Sequence, residues 1–368
     1  MSKSYKLTPQ DVLFFRDARP MEASDAGLGA NWPRPDQLNH ALRSACLAAW
    51  PGKQAWEPEK RETDGRFPDF LTAGPFPCRG ADVFLPCPLD WNMKVVPVAD
   101  TDLPAPLTHG FLPVQEGKVS LPRWIAPRDY LAYLKGACPA KPEDPKLYAA
   151  DRSIGIGLDA ATGTTVEGAF YQAEYLRLEP DVGMLFWTDG TDLLEQAGAP
   201  RAVPFGGQRR MCHVESAEMP RLPQVEITTR YLRWTLVTPA LFNTGWRPGW
   251  IAEDGRVMLP RPCEGRRSGE SRQAWRARLN AAGRFDVRLV AARIGKPEAF
   301  SGWRLAHGAQ APKPTVLAVP AGSSYVFDCG SLDEARALAA VLAAPARRSD
   351  LCGEQGFGMG ICSSIEIK

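Results

Sequence analysis

Near the end of the chain, Gly353, Gly356, Gly358 and Gly360 surround Phe357. A loop that cradles a dinucleotide follows a strand and opens a helix, so that phosphate meets the helix N-terminus. Here the glycines follow a helical pattern and open a strand. Two readings stand. Without Cβ atoms, the main-chain N–H groups can approach a sugar-phosphate chain, with Phe357 stacking on a base for ~1–3 kcal/mol. Otherwise the loop is a tight helix-to-strand turn and Phe357 is core.

Gly206-Gly207-Gln208-Arg209-Arg210 occupies the equivalent place in the first half. A guanidinium offers a planar fork of donors suited to phosphate. Consecutive residues of a strand point to opposite faces. At most one arginine therefore meets a given ligand, and the other pairs with a carboxylate or a partner subunit. A third cluster, Phe14-Phe15-Arg16-Asp17-Ala18-Arg19-Pro20, serves either phosphate binding or a structural ion pair. Arg43, on the helix that follows, is by default a solvated charge. Residues 261–293 hold nine arginines against Glu264, Glu270 and Asp286. That excess makes either an interaction surface or a solvated insertion.

Acid–base and metal chemistry find little support. His40, His109, His213 and His307 show no metal-ligand spacing, and no G-x-S-x-G or Walker A sequence occurs. His40 is the candidate general base if there is one. The nine cysteines are scattered and never spaced C-x-x-C, which fits reduced thiols better than a zinc site or a disulfide framework. No metal and no cofactor is expected.

The elements that must position these residues are clearest in the second half. Val225–Val237 has strand composition, a helix is expected over Ser268–Ala282, and a strand follows through Phe285, Val287 and Leu289. Thr315–Val319 and Ser324–Asp328 flank Pro320-Ala321-Gly322 as a hairpin would. Ser331 caps a helix with Glu334 at the capping-box position and Ala335, Leu338 and Leu342 on one stripe, ended by Pro345. A last strand runs over Ile361–Ile367. This succession reads as a βαββαβ ferredoxin-like unit.

The first half holds the same parts more loosely. A strand near Ser4–Thr8 leads to a helix over Pro35–Ala49, with Pro35 in its first turn and Leu38, Leu42 and Ala45 on its apolar side. Ser153–Leu178 reads as a long hairpin turning at residues 159–163. Val182–Thr188 is a strand, Thr191–Ala197 a short helix, and a strand spans about 209–215. Helix, glycine turn and strand thus close both halves. Residues 51–145 are rich in Pro and Gly and read as ordered loops with short strands such as Asp82–Leu85, because their many aromatics argue against disorder. The fold class is α+β, with two domains: 1–220, carrying the 51–145 insertion, and 221–368, carrying the 353–360 loop. The boundary is expected at Met219–Pro223.

The 368 residues carry 44 basic and 42 acidic side chains, a net charge of +2. That excludes a polycation, so any nucleic-acid surface is local. An apolar fraction of 44% is ordinary for a globular protein. No apolar run reaches the roughly 18 residues of a membrane span. The start lacks a secretory pattern, so a cytoplasmic location without membrane association is expected.

Taken together, the motifs resemble the RAMP-superfamily subunit of the type III-B CRISPR (Cmr) effector complex that binds the 5′ handle of the guide crRNA. The resemblance is carried by Phe14–Pro20, Trp32-Pro33-Arg34-Pro35, Ala41-Leu42-Arg43, Asp151-Arg152-Ser153, Glu167-Gly168 and Phe205–Arg210. It continues through Thr238–Phe242, Gly245–Pro248, Ser301-Gly302-Trp303, Lys313-Pro314, Pro320–Gly322 and Gly353–Gly358. Met21 and His40 depart from the family pattern, and the Arg261–Arg278 segment matches nothing in it. The resemblance implies two ferredoxin-like (RRM-like) RAMP domains, no nuclease activity, and a role in holding the crRNA 5′ handle. It also implies two protein neighbours, the large polymerase-like subunit and the adjacent backbone RAMP subunit. On this reading Arg16, Arg19, Arg43, Arg152 and Ser153, with Arg209 and Arg210, form the RNA-binding set. The main chain at Gly206, Gly207, Gly356 and Gly358, with Phe357, lies along the same strand, and the Ser153–Leu178 hairpin docks a subunit or wedges into the guide. The alternative is a RAMP endoribonuclease that processes CRISPR repeat RNA with His40 as general base.

Overall fold

The structure is a computed structural model that describes residues 2–15, 27–49, 70–99, 102–115, 120–190, 193–196, 198, 201–261, 265–301, 303–304 and 311–367. Two antiparallel sheets organise it. The first is built from β1 (Lys3–Pro9), β3 (Phe70–Arg79), β4 (Asp82–Val83), β7 (Val182–Gly190), β8 (Ala202–Pro204) and β9 (Met211–Ala217), in the order β8-β9-β1-β7-β3-β4. The second holds β10 (Tyr231–Leu236), β11 (Arg288–Arg293), β12 (Ser324–Asp328) and β13 (Gly360–Ser364), in the order β13-β10-β12-β11. Within each half the four main strands, numbered along the chain, follow one another across the sheet as fourth, first, third, second. The duplication expected from the sequence is thus present in strand order.

Helices fall between the same strands in both halves. α1 (Pro35–Ala49) follows β1, and α3 (Leu193–Gln196) precedes β9. α4 (Arg272–Ala282) precedes β11, and α5 (Leu332–Leu342) precedes β13. The Gln37 side chain accepts from the Arg34 N–H at 2.9 Å, one arm of a capping box at the start of α1. Leu38 and Leu42 are fully buried against Leu7, Phe70 and Phe186 of the first sheet. At α5 the Ser331 hydroxyl accepts from the Glu334 N–H at 3.2 Å, and Ala335, Leu338 and Leu342 pack on Leu232, Trp234 and Phe327. Both helices sit where the capping and apolar-stripe patterns place them.

Three expectations are corrected. Residues 51–145 are more than loops with short strands: β3, ten residues long, is an interior strand of the first sheet. Two prolines and a glycine within it conceal the strand pattern, and the ladder accommodates them with a register shift opposite Leu185–Trp187. Residues 315–319 and 324–328 do not form a hairpin. Val316–Ala318 pairs instead with Glu298–Phe300, and β12 lies between β10 and β11. Gly322 explains the divergence: at φ +87° it donates to the Leu236 carbonyl and accepts from the Leu89 N–H, each at 2.8 Å or less, which ties the turn to other segments. The last strand ends at Ser364 rather than Ile367.

The hairpin forms a sheet of its own. β5 (Tyr148–Leu158) pairs with β6 (Thr165–Leu178), and β2 (Gly27–Gly29) runs parallel to β6. Asp159 makes the turn by accepting from the N–H groups of Ala161 and Thr162, and Gly163 takes φ +67°. The face of the first sheet turned away from α1 packs against the second half. There Phe76, Leu185 and Trp187 meet Val237, Met359 and Ile361, with α2 (Pro127–Leu134) supplying Tyr130 and Tyr133.

Candidate nucleic-acid interface

The Gly206–Gly207 turn is shaped by the segment it touches. Gly206 sits at φ +86°, and a Cβ there would come within 2.8 Å of the Phe14 carbonyl oxygen. That carbonyl accepts from the Gly207 N–H at 2.8 Å. The two phenylalanines then part company. Phe15 is buried, edge-on to Phe205 at 4.9 Å, whereas the Phe14 ring lies 5.4 Å from Tyr175. Any Cβ at Gly29, on β2, would overlap the Phe14 ring, so β2 and the glycine turn hold that ring from two sides.

Arginines gather around this pair of rings. The Arg210 guanidinium carbon stands 5.2 Å from the centre of the Tyr175 ring, and its NH1 donates to Asp11 at 3.0 Å. Asp11 also meets Arg177 at 3.6 Å, and Arg177 pairs with Asp151 as well. On the opposite face of the hairpin from Tyr175, Arg152 donates to Glu174 at 2.8 Å while its side chain stays 68% exposed. Arg209 is exposed in the left-handed region, φ +55°, because the strand begins only at Met211. Arg209 is exposed and Arg210 is paired with a carboxylate, and a turn separates them rather than the pleat of a strand. Ser153 is exposed beside Arg152. Hydrogen bonding from Arg177 to Asp151 raises the arginine's pKa further, so it stays charged at any working pH.

The remaining site residues are placed differently. Arg16 and Arg19 lie outside the described residues. Arg43 is 3% exposed and donates to Asn39 at 3.4 Å on the same helix, so it is an interior group and not a solvated charge. Phe357 is buried, edge-on to Phe300 at 5.6 Å, in a cluster with Leu241 and Ala318. A ring so enclosed does not stack on a base, which corrects the stacking reading in favour of the tight turn. Gly356, at φ +99°, would bring a Cβ within 2.8 Å of the Thr72 carbonyl, and one at Gly358 would overlap the Ser349 nitrogen. These glycines bring protein main chain together: Thr72 belongs to β3, and its hydroxyl donates to the Gln355 carbonyl at 3.2 Å. His40 is half-buried on α1. Among the described residues no group of three or more His, Cys, Asp or Glu could hold a metal ion.

Sequence reasoning missed Asp11, Asp151, Glu174, Tyr175 and Arg177. The bulge between Thr165 and Phe170 hides the pairing of Arg152 with Glu174, because counting evenly back from the turn misaligns them. A second concavity, of about 300 Å³, lies where the halves meet, lined by Trp32, Arg34, Pro75, Arg123 and Thr238 among others. Its Arg34 stacks 4.4 Å from the Phe300 ring centre and pairs with Asp36 at 3.0 Å.

The geometry offers two aromatic faces, the exposed Arg209, and Arg177 and Arg210 sharing Asp11 beside a glycine turn, a set suited to a single-stranded polyanion with bases. A family model described as CRISPR-associated protein (Cas_Cmr3) matches residues 5–362. No curated protein matches the chain. Among solved structures, the chain is similar at 14% identity to one in "Cryo-EM structure of the Type III-B Cmr-beta bound to cognate target RNA and AMPPnP, state 1", covering 88% of this chain and 86% of that one with a TM-score of 0.49. A chain of "Crystal structure of Csm1-Csm4 cassette in complex with pppApA" is 14% identical, covering 87% and 98%, with a TM-score of 0.39. A chain of "Crystal structure of Csm3-Csm4 subcomplex in the type III-A CRISPR-Cas interference complex" is 10% identical, covering 88% and 92%, with a TM-score of 0.43.

Proposed function

The chain belongs to the Cas_Cmr3 family of CRISPR-associated proteins, and from that premise we propose that it is a non-catalytic subunit that holds the 5′ handle of the guide RNA in a type III-B effector complex. One observation carries the reading: Arg210 and Arg177, joined through Asp11, meet the rings of Phe14 and Tyr175 beside the Gly206–Gly207 turn, with Arg209 exposed in that turn. Arg16 and Arg19 stand two and five residues after Phe14 in the chain and belong to the same proposed set. Stacking tolerates any base, and guanidinium forks engage phosphate. The platform therefore grips a strand end without chemistry on it.

The wider proposal follows from the family. The halves 1–220 and 221–368 are two ferredoxin-like domains, a reading supported by the strand order they share. The large polymerase-like subunit and the adjacent backbone subunit are the protein neighbours, and the complex acts in the cytoplasm. The β5–β6 hairpin, with Ile154, Ile156, Leu158 and Phe170 exposed, is the element offered to one of them.

The test is crosslinking from a photoreactive group at the guide's 5′ end in the assembled complex. Adducts are expected on peptides containing residues 9–20, 148–178 or 201–211. Adducts confined to another subunit would overturn the reading. Metal-free incubation with repeat-containing precursor RNA separates the nuclease alternative: specific cleavage that His40→Ala abolishes would replace a holding role with a cutting one.

A further inference from the structure

The arginine-rich segment before β11 plays no part in the platform described above, and its own structure argues for a second contact. Among the described side chains of α4, residues 272–278, none belongs to the buried clusters of the second half. It is nonetheless a well-made helix. The Ser271 hydroxyl accepts from the Ala274 N–H at 3.0 Å at its start, and Gly283 follows its end at φ +71°. Arg272 and Arg276 stand four residues apart and share a face. Like charges at that spacing oppose the helix, so the helix is not built for its own stability.

The acids nearby are few. Glu270 is taken by Arg278, which donates to both of its oxygens at 3.0 and 2.8 Å, and by the Arg267 N–H at 2.9 Å. Those bonds, the one from Arg278 first, hold the Glu270 carboxyl down at about 2, so it stays committed at neutral pH. Arg261 is paired with Glu334 at the start of α5. Arg266, Arg272 and Arg276 remain exposed, with no ion pair among the described residues. The segment 261–293 uses arginine without a single lysine, and Trp275 sits among its arginines. Among its described residues no large apolar side chain is exposed.

We infer that the exposed arginines Arg272 and Arg276 on α4, with Arg266 in the loop before it, form a second nucleic-acid contact that takes the phosphate backbone of single-stranded RNA beyond the 5′ handle. Its position supports a separate role. α4 leads into β11, one edge of the second sheet, where Val95 and Thr108 meet Val290, and among the described residues no contact joins α4 to Phe14, Tyr175 or Arg210. The face is therefore not continuous with the Phe14–Arg210 platform. The inference goes beyond the handle-binding reading and stands without it.

The experiment measures binding of a fluorescein-labelled 30-nucleotide oligouridine, free of repeat sequence, to the full chain by anisotropy over a KCl series. Arg266→Ala/Arg272→Ala/Arg276→Ala is compared with the three-lysine variant at the same positions and with Arg152→Ala/Arg209→Ala. The alanine variant is expected to lose affinity about tenfold or more and to flatten the log–log salt slope by about 2, at roughly 0.7 per phosphate released. The lysine variant keeps the slope. An alanine variant that binds as the parent does overturns the inference, whatever the Arg152/Arg209 variant does. So does an unchanged slope, or a variant that binds RNA normally but fails to join the complex, which would make the face a protein interface. An unchanged Arg152/Arg209 variant bears on the handle reading alone.

Discussion

The carboxylate of Asp90 and the guanidinium of Arg233 meet at 3.2 Å inside the protein, 143 residues apart in the chain. Both are buried. Asp90 also accepts from the Tyr133 hydroxyl and the Ser324 hydroxyl at 2.7 Å each, and Arg233 donates to the Tyr133 carbonyl and to Ser363. The pair fastens the 80–147 region to β10 of the second sheet. Removing one member leaves a charge buried without its partner, which costs about 3–5 kcal/mol, whereas replacing both by apolar groups costs far less. Asp90→Ala is therefore expected to lower the urea midpoint sharply, and Asp90→Leu/Arg233→Met to recover most of it. Equal losses in the two variants would show that the hydrogen bonds, not the charge, hold the region.

The C-terminal glycines give a contrast that separates conformation from contact. Gly80 and Gly358 both have positive φ, +59° and +75°. A Cβ at Gly80 meets nothing within 4 Å, but one at Gly358 runs into the Ser349 main chain. Gly80→Ala is expected to cost only the left-handed backbone penalty, about 1–2 kcal/mol. Gly358→Ala adds a clash with main chain that cannot swing aside, and should abolish soluble expression or drop the melting temperature well below that of Gly80→Ala. Equal behaviour of the two variants would mean that the 347–359 turn yields readily.

Local signals made the helices legible. Pro35 with its apolar stripe, and Ser331 with Glu334, act within one or two turns and place α1 and α5 where they are. β3 escaped because Gly74, Pro75 and Pro77 interrupt it, and only the ladder to β7 reveals it as an interior strand. The glycine turns looked alike in sequence and differ in what they face. Gly206–Gly207 stays exposed beside the Phe14 carbonyl, whereas Gly356 and Gly358 are closed by Thr72 and Ser349. That distinction depends on Phe14 and Thr72, which lie far from these glycines in the chain, and no local pattern records them. The buried state of Arg43 likewise depends on β3 passing beneath α1.

Burial also sets the thiol chemistry. It pushes the pKa values of Cys87, Cys212 and Cys329 up to about 12, and that of Cys352 to about 11. At pH 8 a thiol of pKa 12 is ionised in roughly one molecule in ten thousand, and only the thiolate reacts. Native protein is expected to show no reaction of these four with a disulfide reagent at pH 8, and full reaction in guanidinium. As the pH rises towards 11, the half-buried Cys352 should label first. Rapid labelling of Cys212 at pH 8 would show that β9 opens from the sheet.

Asp11 provides the sharpest test of the platform, because it competes with any ligand for the arginines. Its carboxylate engages Arg210 at 3.0 Å and Arg177 at 3.6 Å while remaining exposed. An exposed pair of this kind contributes little to stability, so Asp11→Asn should fold normally and leave both guanidinium groups freer to meet phosphate. RNA affinity is then expected to rise severalfold. The salt slope should steepen by between about 0.7 and 1.4, depending on whether one or both arginines gain a phosphate. Arg210→Ala in the Asp11→Asn background should reverse the larger part of the gain, since Arg210 also stacks on Tyr175. If Asp11→Asn weakens binding instead, the carboxylate orders the arginines for the strand and does not compete with it. The phosphates would then contact guanidinium groups already fixed in place, and Asp11→Ala would weaken binding as much as Asp11→Asn does.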